Sequence, residues 1–166
     1  MTGALIRPAV PGDAAAIIGV RVASWRGAYG AHLPESYWTE YDSATATTRL
    51  AASIERAATR VFVGVVDETV VGYTFHGPTR DDDLPPGTGE VYAIYVRPDS
   101  WSTGVGHALM TAALADLGAG PVVLWVLTVN DRARRFYELA GFVPDGAEKL
   151  AEMPGGPIPE MRYRRG

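Results

Sequence analysis

Two glycines, Gly104 and Gly106, sit one residue apart in the stretch WSTGVGHALM, Trp101 to Met110, where a strand-like run gives way to a helix-like one. Bare backbone at the mouth of a helix suits phosphate, because the first amides of the helix have no internal acceptor and point outward. Three kinds of glycine loop compete. A nucleotide P-loop requires Lys followed by Ser or Thr after its second glycine, but His107 and Ala108 stand there. A dinucleotide fingerprint requires a third glycine and an acidic residue closing the next strand. Leu109 occupies the glycine position, and that strand ends Leu127-Thr128-Val129. A plain turn that reverses the chain stays open.

The elements that would position this loop follow from residue periodicity. ALIRPA reads as a first strand. Asp13 caps a helix with Ala14, Ile17, Ile18, Val22 and Trp25 at helical spacing. A second helix falls within Glu35 to Ala58. RVFVGVVD and TVVGYTFHG form a hairpin around Glu68, and GEVYAIYV is the strand entering the glycine loop. Val105, Ala108, Leu109, Ala112 and Ala113 mark the next helix, closed by Gly118. VVLWVLTV is apolar throughout, as in a strand covered on both faces. Asn130 caps a helix whose Ala133, Phe136, Tyr137 and Ala140 share a face and which Gly141 ends. FVPDGAEKL and PEMRYRR close the chain as strands. The order β-α-α-β-β-β-α-β-α-β-β is a mixed α/β layout with local parallel pairing around the central strand-helix-strand unit.

The 166 residues suit one domain, 1–166, able to bury a core without staples. With no cysteine, disulfides, thiolate metal sites and cysteine nucleophiles are excluded. A net charge of -4 gives no basic field for nucleic acid. The C-terminal Arg162, Arg164 and Arg165 read as a solvated basic tail. No run approaches the ~18 apolar residues of a membrane span, and the N-terminus lacks a signal-peptide pattern. The expectation is a cytoplasmic protein with no nucleic-acid or membrane partner. His32, His76 and His107 have no metal spacing, so no metal is expected.

One strand after the glycines comes NDRARRFYELAGF, Asn130 to Phe142. Together with VRPDSWSTGVGHALM it resembles the two signature regions of the GNAT superfamily of N-acetyltransferases. In that family a Gln/Arg-x-x-Gly-x-Gly/Ala loop opens one helix, and a later helix reads Asn, Ala, Phe-Tyr, Gly-Phe. The strong match spans Glu90 to Phe142, and the element order extends it over the chain. Three positions depart from the pattern: Trp101 replaces Gln or Arg, Ser102 stands where glycine is common, and Thr103 where a basic residue is common.

The resemblance implies an acyl-CoA N-acyltransferase fold, a mixed central sheet with helices on both faces, with acetyl-CoA as donor and a primary amine as acceptor. Amides from Trp101 through Ser102, Thr103, Gly104, Val105, Gly106 and His107 would hold the diphosphate. Backbone groups of Ile94, Tyr95 and Val96 would meet the pantetheine arm where the strand splays from its parallel neighbour. Asn130 would contact the same arm, and Arg135 the 3′-phosphate. Glu90 falls where the family has a base glutamate, though it reads equally as a solvated strand-end carboxylate, and strand alternation places Glu90 and Tyr92 on the face of Ile94 and Val96. A base is useful because an amine of pKa ~10.4 is unprotonated only about once in a thousand molecules at pH 7. Tyr137 matches the family's general acid. Attack would be direct, in a ternary complex. The aromatic stretch holding Trp25, Tyr29, Tyr37 and Trp38 reads either as the wall of a small-molecule amine pocket or as hydrophobic core, and Asp81-Asp82-Asp83 either as a solvated acidic loop or as an attractor for a cationic acceptor. A protein N-terminus or lysine as acceptor, a non-catalytic acyl-CoA sensor and a homodimer remain further readings.

Overall fold

The computed structural model describes residues 3–166. Its strands form one seven-stranded sheet in the order β1-β2-β3-β4-β5-β7-β6. They are β1 (Leu5–Pro8), β2 (Arg60–Val66), β3 (Thr69–Pro78), β4 (Gly89–Val96), β5 (Val122–Leu127), β6 (Val143–Ala151) and β7 (Ile158–Arg165). All neighbours are antiparallel except β4 and β5. The helices are α1 (Ala14–Tyr29), α2 (Glu35–Glu40), α3 (Ser43–Glu55), α4 (Val105–Leu117) and α5 (Asp131–Leu139).

The helices cover both faces. Ile17 and Val20 of α1 pack with Val61, Val63 and Tyr73 on one side. Val105 and Leu109 of α4 pack with Val71 on the other, where Met110 also joins Leu124, Tyr137 and Phe142. β5 is covered on both sides: Leu124 and Val126 lie in the α4–α5 core, while Leu127 packs with Tyr29 and Leu33. Among the described residues no helix is long and apolar enough to cross a membrane.

Two local expectations change. The second helical region is two helices, broken at Tyr41-Asp42, because the Asp42 carboxylate accepts from the Thr45 amide at 2.9 Å and starts α3 afresh. Asp13 does not cap α1 with its side chain. Its carboxylate turns back to the Val10 amide at 2.8 Å and to both terminal nitrogens of Arg7, stapling β1 to the first helix.

His76 pins the α4 side of the sheet. It is fully buried on β3, its ring edge-on to Phe62, and its Nε2 lies 2.8 Å from Asp116 at the end of α4. Burial pushes the imidazole below its usual value, against the pull of Asp116. The folded state therefore favours neutral His76. The stability this carries is complete above the unfolded pKa of about 6.5 and is lost as pH falls toward the folded value. Urea midpoints measured from pH 7.5 to 5.5 should fall, and His76→Leu should flatten that decline; an equal decline in the variant would exclude His76 as its source.

Candidate active site

β4 and β5 pair for only two residues, Gly89 with Val122 and Glu90 with Val123. Beyond these the strands part, and a cavity of about 700 Å³ opens between them. Ile94, Tyr95 and Val96 line it from β4, and Trp125, Val126 and Leu127 from β5. The start of α4 and one face of α5 complete the wall.

A bulge in β4 decides which side chains face which way. Phe75 pairs with Ala93 but His76 pairs with Val91, so Tyr92 is the extra residue. Val91, Ile94 and Val96 pack toward α4 and α5, whereas Ala93 and Tyr95 pack toward α1. Tyr92 stands over Gly77, the partner of Glu90, so Glu90 and Tyr92 share the α1 face. The expectation that they share a face with Ile94 and Val96 fails because simple alternation does not survive an inserted residue. Backbone direction sorts the same residues. The Arg97 amide bonds Val71 on β3, so by alternation Tyr95 also spends its main-chain groups on β3, while those of Ile94 and Val96 point to the opened edge. The Val96 carbonyl is already engaged, accepting from Ser24 Oγ at 3.0 Å and Trp101 Nε1 at 2.7 Å.

Those two bonds explain Trp101. Its indole is tethered to the end of β4 and seated against Gly27 of α1, where a Cβ would come within 3.1 Å of the ring. Its amide bonds Pro98, so the row of open donors begins one residue later. Among the described residues, the amides of Ser102, Thr103, Gly104, Val105, Gly106 and His107 have no acceptor. Ser102 and Gly104 both have positive φ, 62° and 94°, and turn successive amides toward one concavity. Ser102 thus holds by strain a conformation that glycine adopts freely. Gly106 has a different role, since a Cβ there would come within 3.2 Å of Phe136 on α5. The Val105 side chain is core and the Thr103 hydroxyl bonds Ser100, so only the main chain of these two residues serves the rim.

α5 contributes the other wall. The Asn130 side chain accepts from the Ala133 amide at 3.0 Å and donates to the Tyr29 hydroxyl at 2.7 Å, tying α5 to α1 across the cavity. Tyr137 is buried except toward the cavity, and among the described residues its hydroxyl has no hydrogen-bond partner. Burial holds the phenol protonated, well above its usual value. Arg135 lines the cavity, and so does Arg132, which the sequence reading passed over. Arg132 lies 4.2 Å over the Trp101 ring and points a nitrogen toward Ser102 Oγ at 3.5 Å. A cation at the loop, missing from Trp101 and Thr103, is thus supplied from α5. Arg134 instead braces the fold through Tyr163 and Thr128.

Glu90 is 1% exposed and not among the cavity-lining residues. Its carboxylate accepts from the Arg80 guanidinium at 2.7 Å and from the Arg80 amide at 2.8 Å. It is not a solvated strand end; it clamps the turn that carries Arg80 over Tyr92. The carboxylate that does line the cavity is Glu160, opposite Leu127 and 3.6 Å from Lys149. No motif marks it, because it comes from β7, far along the chain. The acidic loop is also not free. Asp81 and Asp83 pair with Arg162, which is buried and also binds Asp145 at 2.6 Å, and Asp81 accepts from Trp125 Nε1. The presumed tail arginine is therefore the hub that fixes this loop beside the cavity.

Comparison with known proteins decides the family. Residues 13–142 match the model of the acetyltransferase (GNAT) family. The chain belongs to the GNAT family. It is 28% identical over 113 residues to a probable N-acetyltransferase of Mycobacterium tuberculosis, covering 68% of this chain and 63% of that protein. A mycothiol acetyltransferase of Rhodococcus jostii is 31% identical over 121 residues, 69% of this chain but 38% of the relative. The chain thus spans less than two thirds of either relative. Among solved structures, the PaiA N-acetyltransferase of Thermoplasma acidophilum in complex with coenzyme A superposes with a TM-score of 0.74 at 19% identity, covering 99% of both chains. This GNAT chain shares that fold.

The loop strain is measurable. Gly104→Ala should cost about 1–2 kcal/mol through its left-handed backbone, whereas Ser102→Gly should gain up to about 1 kcal/mol. Urea denaturation of both variants checks this; a stabilised Gly104→Ala would contradict the loop geometry.

Proposed function

We propose that residues 1–166 form an N-acetyltransferase domain that moves an acetyl group from acetyl-CoA to a primary amine of a small molecule, by direct attack in a ternary complex. One observation carries the reading: a continuous cavity runs from the unpaired amides of residues 102–107 to the unpartnered Tyr137 hydroxyl and the opened edge of β4. The donor-rich rim, its αL turns and the two cavity-lining arginines of α5, Arg132 and Arg135, suit a diphosphate, so the residues present fit the cosubstrate. When bound, acetyl-CoA supplies an activated thioester, whose C–S bond breaks as the C–N bond of the amide forms.

The chain's own groups then have distinct tasks. The amides of residues 102–107 hold the diphosphate, with Arg132 on Trp101 adding charge. The N–H groups of Ile94 and Val96 orient the pantetheine arm, and one of them steadies negative charge on the carbonyl oxygen. Tyr137, protonated and unpaired, gives its proton to the departing sulfur. The amine must lose a proton. Glu160 is better placed than Glu90 to take it, because it lines the cavity while both oxygens of Glu90 are held by Arg80.

Tyr137→Phe should lower kcat about 100-fold with little change in KM for acetyl-CoA, measured by thiol release over a panel of amines. An unchanged kcat removes Tyr137 from the reaction. Arg132→Ala should weaken coenzyme A binding about tenfold, ~1.4 kcal/mol, read by calorimetry.

Glu160→Gln should slow turnover most at neutral pH, with the deficit shrinking as pH rises toward the amine's own pKa and free amine becomes abundant. Glu90→Gln should lack that pattern. The reverse result restores Glu90 as the base.

A further inference from the structure

Arg21 and Trp25 lie one turn apart on α1 and leave the same helix face. Both line a second cavity of about 340 Å³, walled by Tyr37, Trp38, Tyr41 and Tyr92. Trp25, Tyr92 and Tyr95 belong to both cavities, so the second adjoins the first on the α1 side.

The second cavity's one charged side chain, Arg21, lacks a carboxylate among the described residues. Arg21 Nε is anchored on the buried Tyr73 hydroxyl at 3.1 Å, and its guanidinium lies over the Tyr73 and Phe75 rings. The Tyr41 hydroxyl is its second oxygen neighbour, so the groups around it are neutral phenols. Yet among the described residues no carboxylate pairs with Arg21, whereas Arg7, Arg26, Arg60, Arg80 and Arg162 each have one. Trp25 Nε1, by contrast, is sealed from solvent against the Tyr95 phenol, so Trp25 offers the cavity its ring and not its N–H. Half-buried charge is costly unless something satisfies it. A fixed, half-buried cation with no carboxylate calls for an oxyanion. The rings around it call for a flat apolar body. A polyamine is the wrong match, because the charged side chain lining this cavity is itself a cation. The negative charge on its rim, Glu90 behind Tyr92, is already neutralised by Arg80.

We infer that the acceptor amine also carries a carboxylate or similar oxyanion, seated on Arg21, with an apolar body held among the rings: an amino-acid-like amine. This rests on the acyl-transfer reading of the adjoining cavity.

Two matched pairs test it in the acetyl-CoA assay: phenylalanine against phenethylamine, and 4-(aminomethyl)benzoate against benzylamine. Each pair differs only in the carboxylate, at two distances from the amine. The acid should win in at least one pair by about tenfold or more in kcat/KM, roughly the 1.4 kcal/mol that one charge-assisted contact supplies. Arg21→Gln should erase that preference, and Arg21→Lys should restore part of it. A binding arm needs no turnover: phenylacetate should quench tryptophan fluorescence at lower concentration than phenethylamine, through Trp25 and Trp38. If no amine reacts but phenylacetate binds in an Arg21-dependent way, the acyl-transfer reading fails and the anion site stands. If the plain amines react as well as the acids and phenylacetate does not bind, the anion site is wrong and acyl transfer stands. Should Arg21→Gln not fold, the wild-type ratios and the phenylacetate titration still decide.

Discussion

The site exists because β4 and β5 stay paired for two residues and then separate. Parallel strands normally continue their ladder, since each unpaired amide or carbonyl away from water is expensive. Here the separation is held from both sides. Trp101 and Ser24 occupy the carbonyl at the end of β4, and Asn130 bolts α5 to Tyr29 across the gap. The edge left open is supplied with main-chain donors but not with a strand to receive them. A ligand with a row of acceptors is the natural partner for such an edge, which is why the wedge and the amide-lined loop belong to one binding surface.

Around the wedge, charge is divided by side. Cations not paired with carboxylates, Arg132 and Arg135, stand beside the loop on the α5 side. On the β7 side every acid of the Asp81, Asp83 and Asp145 group is tied to Arg162, which fixes the loop before β4 at the cavity rim. A buried cluster of this kind contributes little net stability, because desolvation offsets attraction, but it specifies one position for the loop. Arg21 breaks the pattern by lining the adjoining aromatic cavity half-buried and, among the described residues, without a carboxylate. The molecule therefore balances its own charges nearly everywhere around the cavity and leaves unbalanced donors in two places, one for each side of the wedge.

Much of this was legible in the residues. The glycine pair, the Asn130 cap and the Phe136-Tyr137 pair are local features, and local backbone chemistry acts over a few residues. Gly104 enters α4 through a left-handed conformation, which glycine adopts freely, so its placement is a local feature. At Gly106 the structure adds a requirement that no spacing rule contains: its neighbour is Phe136, thirty positions away. The face of Glu90 is missed for a similar cause, since a bulge is a property of two strands together and the GEVYAIYV stretch alternates smoothly when read alone.

By itself, then, the sequence determined most of the elements and their order, the glycine turn that opens α4 and the family, because periodicity, capping and glycine placement are encoded within each segment. Only the tertiary structure decided which carboxylate lines the cavity, which arginine serves the loop and which is a buried hub, and where donors go unpaired. Those outcomes depend on burial and on partners brought together from distant segments: Glu160 from β7, Arg132 over Trp101, Arg162 among three aspartates. An ionisable side chain carries the same letter whether it is solvated, clamped or poised, and the difference is made by what the folded chain sets against it.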